Sequence, residues 1–130
     1  LSDMGPDGNA YYDASSPAVA YNSASNEYLV VWEGDDDTGL LVNREFEIYG
    51  QRVDATGTPT GTNDIRLSDM GPDGNASYAA FDPAVAYNSL NNEYLVVWEG
   101  DDDSALTQEY GRALTPRYAA PELFRIERAA

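Results

Sequence analysis

Apolar and polar positions alternate with a period of two in short stretches of this chain, separated by connectors rich in Gly, Asn and Asp. Pro17-Ala18-Val19-Ala20-Tyr21-Asn22 puts Val19 and Tyr21 on one side, after a proline suited to a strand start. Residues 27–33 (EYLVVWE) are apolar on both sides, which marks a central strand covered on both faces. Residues 45–53 set Phe46 and Ile48 against Glu45 and Glu47, predicting a half-buried strand. Residues 63–68 alternate Ile65 and Leu67 with Asp64, Arg66 and Ser68. Turn-rich connectors fill residues 22–26, 34–43, 54–62 and 68–77, and no segment sustains a 3.6-residue period. The pattern predicts a four-stranded antiparallel meander.

That meander occurs twice. Residues 1–37 and 67–103 align at an offset of 66, with 31 of 37 positions identical. The six differences are Tyr11/Ser77, Asp13/Ala79, Ser15/Phe81, Ser16/Asp82, Ala24/Leu90 and Ser25/Asn91. Beyond them the copies diverge: Tyr49-Gly50 is echoed by Tyr110-Gly111, and Ile65-Arg66-Leu67 by Phe124-Arg125-Ile126, so the second copy has shorter connections. The chain divides into unit 1 (1–66) and unit 2 (67–130), the latter divergent from about residue 104. Tandem four-stranded units are what β-propeller blades are made of. Two blades cannot close a ring of ~4–8, which implies further blades of the same protein or a homo-oligomer. The alternative is an eight-stranded β-sandwich.

The strings PAVAYN, NEYLVVWEGDD and EIYGQRVDATGTPTGTNDIRLSDMGPDG resemble tandem repeats of large secreted or surface proteins of bacteria with β-propeller-like, integrin-type repeats. The likeness covers residues 1–112 and implies an extracellular setting and a role in adhesion or scaffolding; the candidate ligand is a glycan or a protein, on which the loop aromatics Tyr11, Tyr12 and Tyr78 could stack. It implies no catalytic residues.

Composition narrows the chemistry. The net charge is −16, from 23 acidic and 7 basic residues, and every basic residue is arginine. With neither Cys nor His there is no disulfide, no thiol nucleophile and no imidazole for a relay or a metal. The charge opposes binding to nucleic acid and anionic membranes, and no apolar run spans a bilayer. The first residues carry no signal-peptide pattern. A bound metal would be a hard cation, calcium before magnesium. Residues 1–103 carry −17 and the remainder +1, so the tail reads as an altered or capping copy, or as non-native sequence.

In a meander the connections alternate between the two ends, so the acidic loops share one rim. The calcium candidates there are Asp3, Asp7, Asn9 and Asp13, the run Asp35, Asp36 and Asp37, then Asp69, Asp73 and Asn75, and Asp101, Asp102 and Asp103. Asp3-x-Gly5-x-Asp7-Gly8 has acidic oxygens at loop positions 1 and 5 and glycine at 6, as calcium loops do, but lacks the late glutamate. The plainer reading is a solvated turn built from Asp, Asn and Gly. Trp32 and Trp98 read as core, and Tyr11, Tyr12 and Tyr78 as turn packing beside the rim. Asn75-Ala76-Ser77 matches a glycosylation acceptor. The enzymatic alternative is a fragment of a propeller glycoside hydrolase using Glu33 and Glu99, since two carboxylates suffice for that reaction.

Overall fold

A computed structural model describes residues 1–36, 39–101, 108–114 and 122–126, with side chains for 1–36 and 39–100. Each unit folds into its own antiparallel sheet. Sheet 1 runs β1 (Ala14–Asn22), β2 (Glu27–Asp35), β3 (Phe46–Asp54) and β4 (Pro59–Arg66) in sequence order. Sheet 2 repeats the order with β5 (Ala79–Asn88), β6 (Glu93–Asp101), β7 (Gln108–Leu114) and β8 (Glu122–Ile126). The fold is all-β. Among the described residues the sheets neither close into a barrel or ring nor form a matched eight-stranded sandwich; β5 of sheet 2 lies against β1, β2 and β3, and β6 reaches the shared core through Tyr94, Val96 and Trp98.

The registers explain why the pattern folds this way. Trp32 stands opposite Tyr49, and Trp98 opposite Tyr110, so both copies keep one pairing despite their different loop lengths. The hairpin after β1 is closed by Asn22, whose Oδ1 accepts the amides of Ala24 (2.9 Å) and Ser25 (3.0 Å). This is the local bonding for which Asn favours turns. Asp54 closes the β3–β4 hairpin, accepting the amides of Thr56 and Thr58, each at 2.9 Å.

Two sequence expectations change. The fourth strand begins at Pro59 rather than at residue 63, because the turn before it takes only residues 55–58. Residues 61–64 then bulge opposite Gln51, with Gly61 and Asp64 at positive φ (77° and 45°). The buried Gln51 side chain replaces the missing ladder, donating from Nε2 to the Thr60 carbonyl (2.8 Å) and accepting the Asp64 amide (3.3 Å). Unit 2 lacks this bulge: Gly111, Arg112 and Ala113 pair consecutively with Phe124, Leu123 and Glu122. The second change is β3, which alternation predicts to be half-buried. Glu45 and Glu47 are in fact fully buried, because the segment leading to unit 2 crosses that end of the strand.

The core lies between the sheets. Leu29, Val31 and Ile48 of sheet 1 meet Tyr94, Val96 and Trp98 of sheet 2, with Leu67 and Met70 of the linker between them. These are opposite faces of the repeat. Tyr94, Val96 and Trp98 correspond to Tyr28, Val30 and Trp32, whereas sheet 1 presents Leu29 and Val31. The sheets therefore stack front to back, a heterologous contact in which the two surfaces differ.

Candidate functional site

The feature that joins the units is built around the linker from β4 to β5. Gly71 and Gly74 turn it at positive φ (67° and 92°), and Tyr78 lies so close over Gly71 that a side chain there would collide with its ring. Asn75 Oδ1 accepts the Ser77 amide (3.1 Å), closing the loop on itself.

A buried carboxylate anchors this loop. Glu47 accepts from Arg66 Nη2 (2.6 Å), from the Met70 amide (2.9 Å) and from the Ser68 hydroxyl. Burial raises the Glu47 pKa against the pull of these donors, as expected where desolvation opposes the charged form. Arg66 Nη2 also reaches Asp69 and Asp73, each at 3.0 Å, and its Nε donates to the Ser68 carbonyl (3.0 Å). One guanidinium thus gathers three carboxylates. Its pKa is raised, since the side-chain bond to Asp73 and the charge of Glu47 outweigh its burial. One turn further, Glu45 accepts the Gly74 amide (2.9 Å) and the Val42 amide (3.0 Å).

Polar contacts continue along the sheet junction. Glu33 accepts the Ser15 hydroxyl and the Asp82 amide, both at 2.8 Å. Arg52 pairs with Glu27 at 2.7 Å, and the Tyr94 hydroxyl donates to Glu27 Oε1 at 3.5 Å. Burial beside that glutamate pushes the Tyr94 pKa up to about 12. Asn22 Nδ2 donates to Asn92 Oδ1 (3.2 Å), and the Phe46 and Phe81 ring centroids lie 5.5 Å apart.

The acidic candidates fall into two groups. Asp69 and Asp73 hold Arg66, while Asn75 and its counterpart Asn9 use their side chains within their own turns. At the end of sheet 1, Asp35 is buried, accepts the Arg44 amide through Oδ2 (2.6 Å) and leaves Oδ1 without a donor. Its pKa is raised by burial and then by the charges of Asp13, Asp36 and Glu45. Asp64, raised by burial, feels Asp3 and Asp36, so acidic groups from several connections do meet at one end. Asp3 and Asp7 line an open cavity of about 240 Å³ together with Asn9 and Tyr12. Asp37, Asp102 and Asp103 lie outside the described residues, and for Asp101 only the backbone is described. Among the described residues no three carboxylates come close enough together to hold a metal ion.

The two tryptophans are buried, and Tyr11 is exposed. Of the enzymatic pair, Glu33 bridges the two sheets as above, while Glu99 is half-buried on the other face of sheet 2. Sequence reasoning missed Glu47, Arg66 and Ser68. The available signal was an isolated arginine set immediately before the repeated LSDMGPDG string. No helix among the described residues is long and apolar enough to cross a membrane.

These features define an all-β chain of two sheets stacked front to back around an arginine-centred linker. No protein-family profile matches it, and neither a curated protein nor a solved structure is significantly similar to it.

Proposed function

We propose that this chain is a non-catalytic stacking module, two blades of a β-propeller-like array whose units add front to back and whose rim serves binding, adhesion or scaffolding. Its place is outside the bacterial cell, in keeping with the repeats its strings resemble. One observation carries the reading: several shared residues that are buried in unit 2 stand open in unit 1. Leu67 is 3% exposed and Leu1 57%; Tyr94 is 2% exposed and Tyr28 38%. A sequence that repeats its interface so closely is adapted to a neighbour on each side, as in arrays whose stability grows with each nearest-neighbour contact. The part Glu33 plays in joining the sheets supports a structural rather than a hydrolytic role for that carboxylate.

The test is a tandem protein with a further copy of residues 1–66 fused ahead of Leu1. Covering the open face should raise the thermal midpoint by several degrees while a single cooperative transition is kept. An unchanged midpoint, or a separate low-temperature transition for the added unit, contradicts the reading.

A second reading, calcium stabilisation of the module, has one observation in its favour, the donor-free Oδ1 of buried Asp35. Millimolar calcium should then raise the midpoint of the wild type but not of Asp35→Asn.

A further inference from the structure

We propose that the open face of sheet 1 docks a second copy of this chain, which lays the far face of its sheet 2 there in the manner of the internal junction. This rests on the stacking-module reading. The occupant is specified by the chain's own duplication. Each residue that sheet 2 and its linker contribute to the central core has an identical counterpart on or beside the open face. Tyr94 and Val96 are buried, whereas their counterparts Tyr28 and Val30 are 38% exposed and half-buried respectively, and Val19, which pairs with Val30 on that face, is 60% exposed. The complementary half is also present: Leu29, buried at 3%, recurs as Leu95 on the far face of sheet 2, 39% exposed. One chain therefore carries both sides of an interface whose fit its own fold demonstrates, one at each end.

Space and charge agree with this occupant. Leu1, Ala14, Pro17, Val30 and Trp32 line an open groove of about 210 Å³. Of the equivalent residues of unit 2, Leu67, Ala80, Pro83 and Val96 are buried where their counterparts are exposed or half-buried, and Trp98 is buried as Trp32 is. The cavity beside Asp3 and Asp7 corresponds to the place where Asp69 and Asp73 take Arg66. In sheet 2 the matching arginine exists: Arg125 stands opposite Tyr110 as Arg66 stands opposite Tyr49. A second copy thus brings Arg125 to the Asp3–Asp7 loop.

The junction between copies is weaker than the one within a chain. Gln108 occupies the register of Glu47, and Glu109 that of Ile48. The association is accordingly reversible and concentration-dependent. Because a heterologous contact leaves one free face at each end, it propagates into a ring or a filament. A ring of ~4–8 sheets would hold about two to four copies.

Sedimentation velocity over a concentration series at about 0.15 M salt, where charges act over about 8 Å, decides the matter. The proteins are the wild type, Val19→Asp on the open face and Leu95→Asp on the far face. Both positions are exposed in the lone chain, and melting curves verify that each variant folds. The wild type should grow in mass with concentration, and each variant alone should stay monomeric. An equimolar mixture of the two should form a 1:1 dimer and stop there, because one intact pair of faces remains. A wild type that stays monomeric throughout overturns the proposal. So does loss of association in Val19→Asp but not in Leu95→Asp, which would mean that two open faces pair with each other. If the tandem protein gains stability while the separate chains stay monomeric, only the second-copy proposal falls and the stacking module stands.

Discussion

Replacing Arg66 by methionine keeps a long side chain and removes the charge that ties the units together. Arg66 Nη2 lies 2.6 Å from Glu47 Oε1 and 3.0 Å from one oxygen each of Asp69 and Asp73. The substitution leaves Glu47, fully buried, with only the Ser68 hydroxyl and the Met70 amide as donors. Removing one partner of a buried pair costs ~3–5 kcal/mol. The Arg66 side chain is 27% exposed and that of Asp69 76%, so solvent screens part of the interaction and the lower figure, about 3 kcal/mol, applies. At this chain length ~1 kcal/mol moves the midpoint by ~3–5 °C, so melting should fall by about 10 °C. Urea curves followed by the buried tryptophans should shift by about 1.5 M, taking an m-value of ~2 kcal/mol per molar. The deficit should also depend on pH. Arg66 is one of the groups that hold the Glu47 pKa down; without it Glu47 takes up a proton in milder acid, and the deficit shrinks as pH falls from neutrality. A cost below about 1 kcal/mol, the range of an exposed pair, or a deficit independent of pH, refutes the reasoning.

The duplicated sequence allows matched comparisons. Leu67→Ala should cost ~2–5 kcal/mol as a core truncation, while Leu1→Ala at the identical position of unit 1 should stay within about 0.5 kcal/mol; equal effects in urea denaturation would contradict the front-to-back stack. A Cβ at Gly100 would lie 2.5 Å from Met70 Cε and 3.3 Å from the Ala79 carbonyl oxygen. Gly100→Ala should therefore cost ~1–3 kcal/mol by overpacking, and Gly34→Ala less, because half-buried Met4 has more room to move aside than fully buried Met70. Stability should peak in weak acid. Burial raises Asp35, Glu47 and Asp64 above their ordinary 3.8 to 4.5, a contribution complete below those values and lost as pH rises through the raised ones. Asp54, lowered by the Thr56 hydroxyl and the turn amides, contributes above its ordinary 3.8 and loses that as pH falls through its lowered value. Melting from about pH 4 to 8 should thus show its maximum below neutrality, and a maximum above pH 7 would contradict this.

The strands were legible because a period of two is a local property: β1 and β2 need only alternating side chains and an Asn-bearing turn to declare themselves. Alternation alone starts β4 late because Gln51 stands in for a ladder across residues 61–64, and nothing in the string TGTND announces a side chain reaching it from another strand. Glu45 and Glu47 alternate with apolar residues as a solvent-facing set would, yet linker residues 23 and 29 positions downstream cover them. The acidic loops were visible as charge. Their convergence on Arg66 was not, because that depends on where β3, β4 and the linker meet.

The sequence by itself determined two antiparallel meanders, their equivalence, and a chemistry confined to carboxylates and arginine. Backbone pleating and the limited set of ionisable side chains act over neighbouring residues and need no knowledge of the fold. Only the tertiary structure decided which copy of a shared residue is inside. Tyr28 and Tyr94, like Leu1 and Leu67, sit in near-identical strings with opposite exposure. Burial is set by what lands on a face, and here the linker places sheet 2 on one face of sheet 1 and leaves the other open.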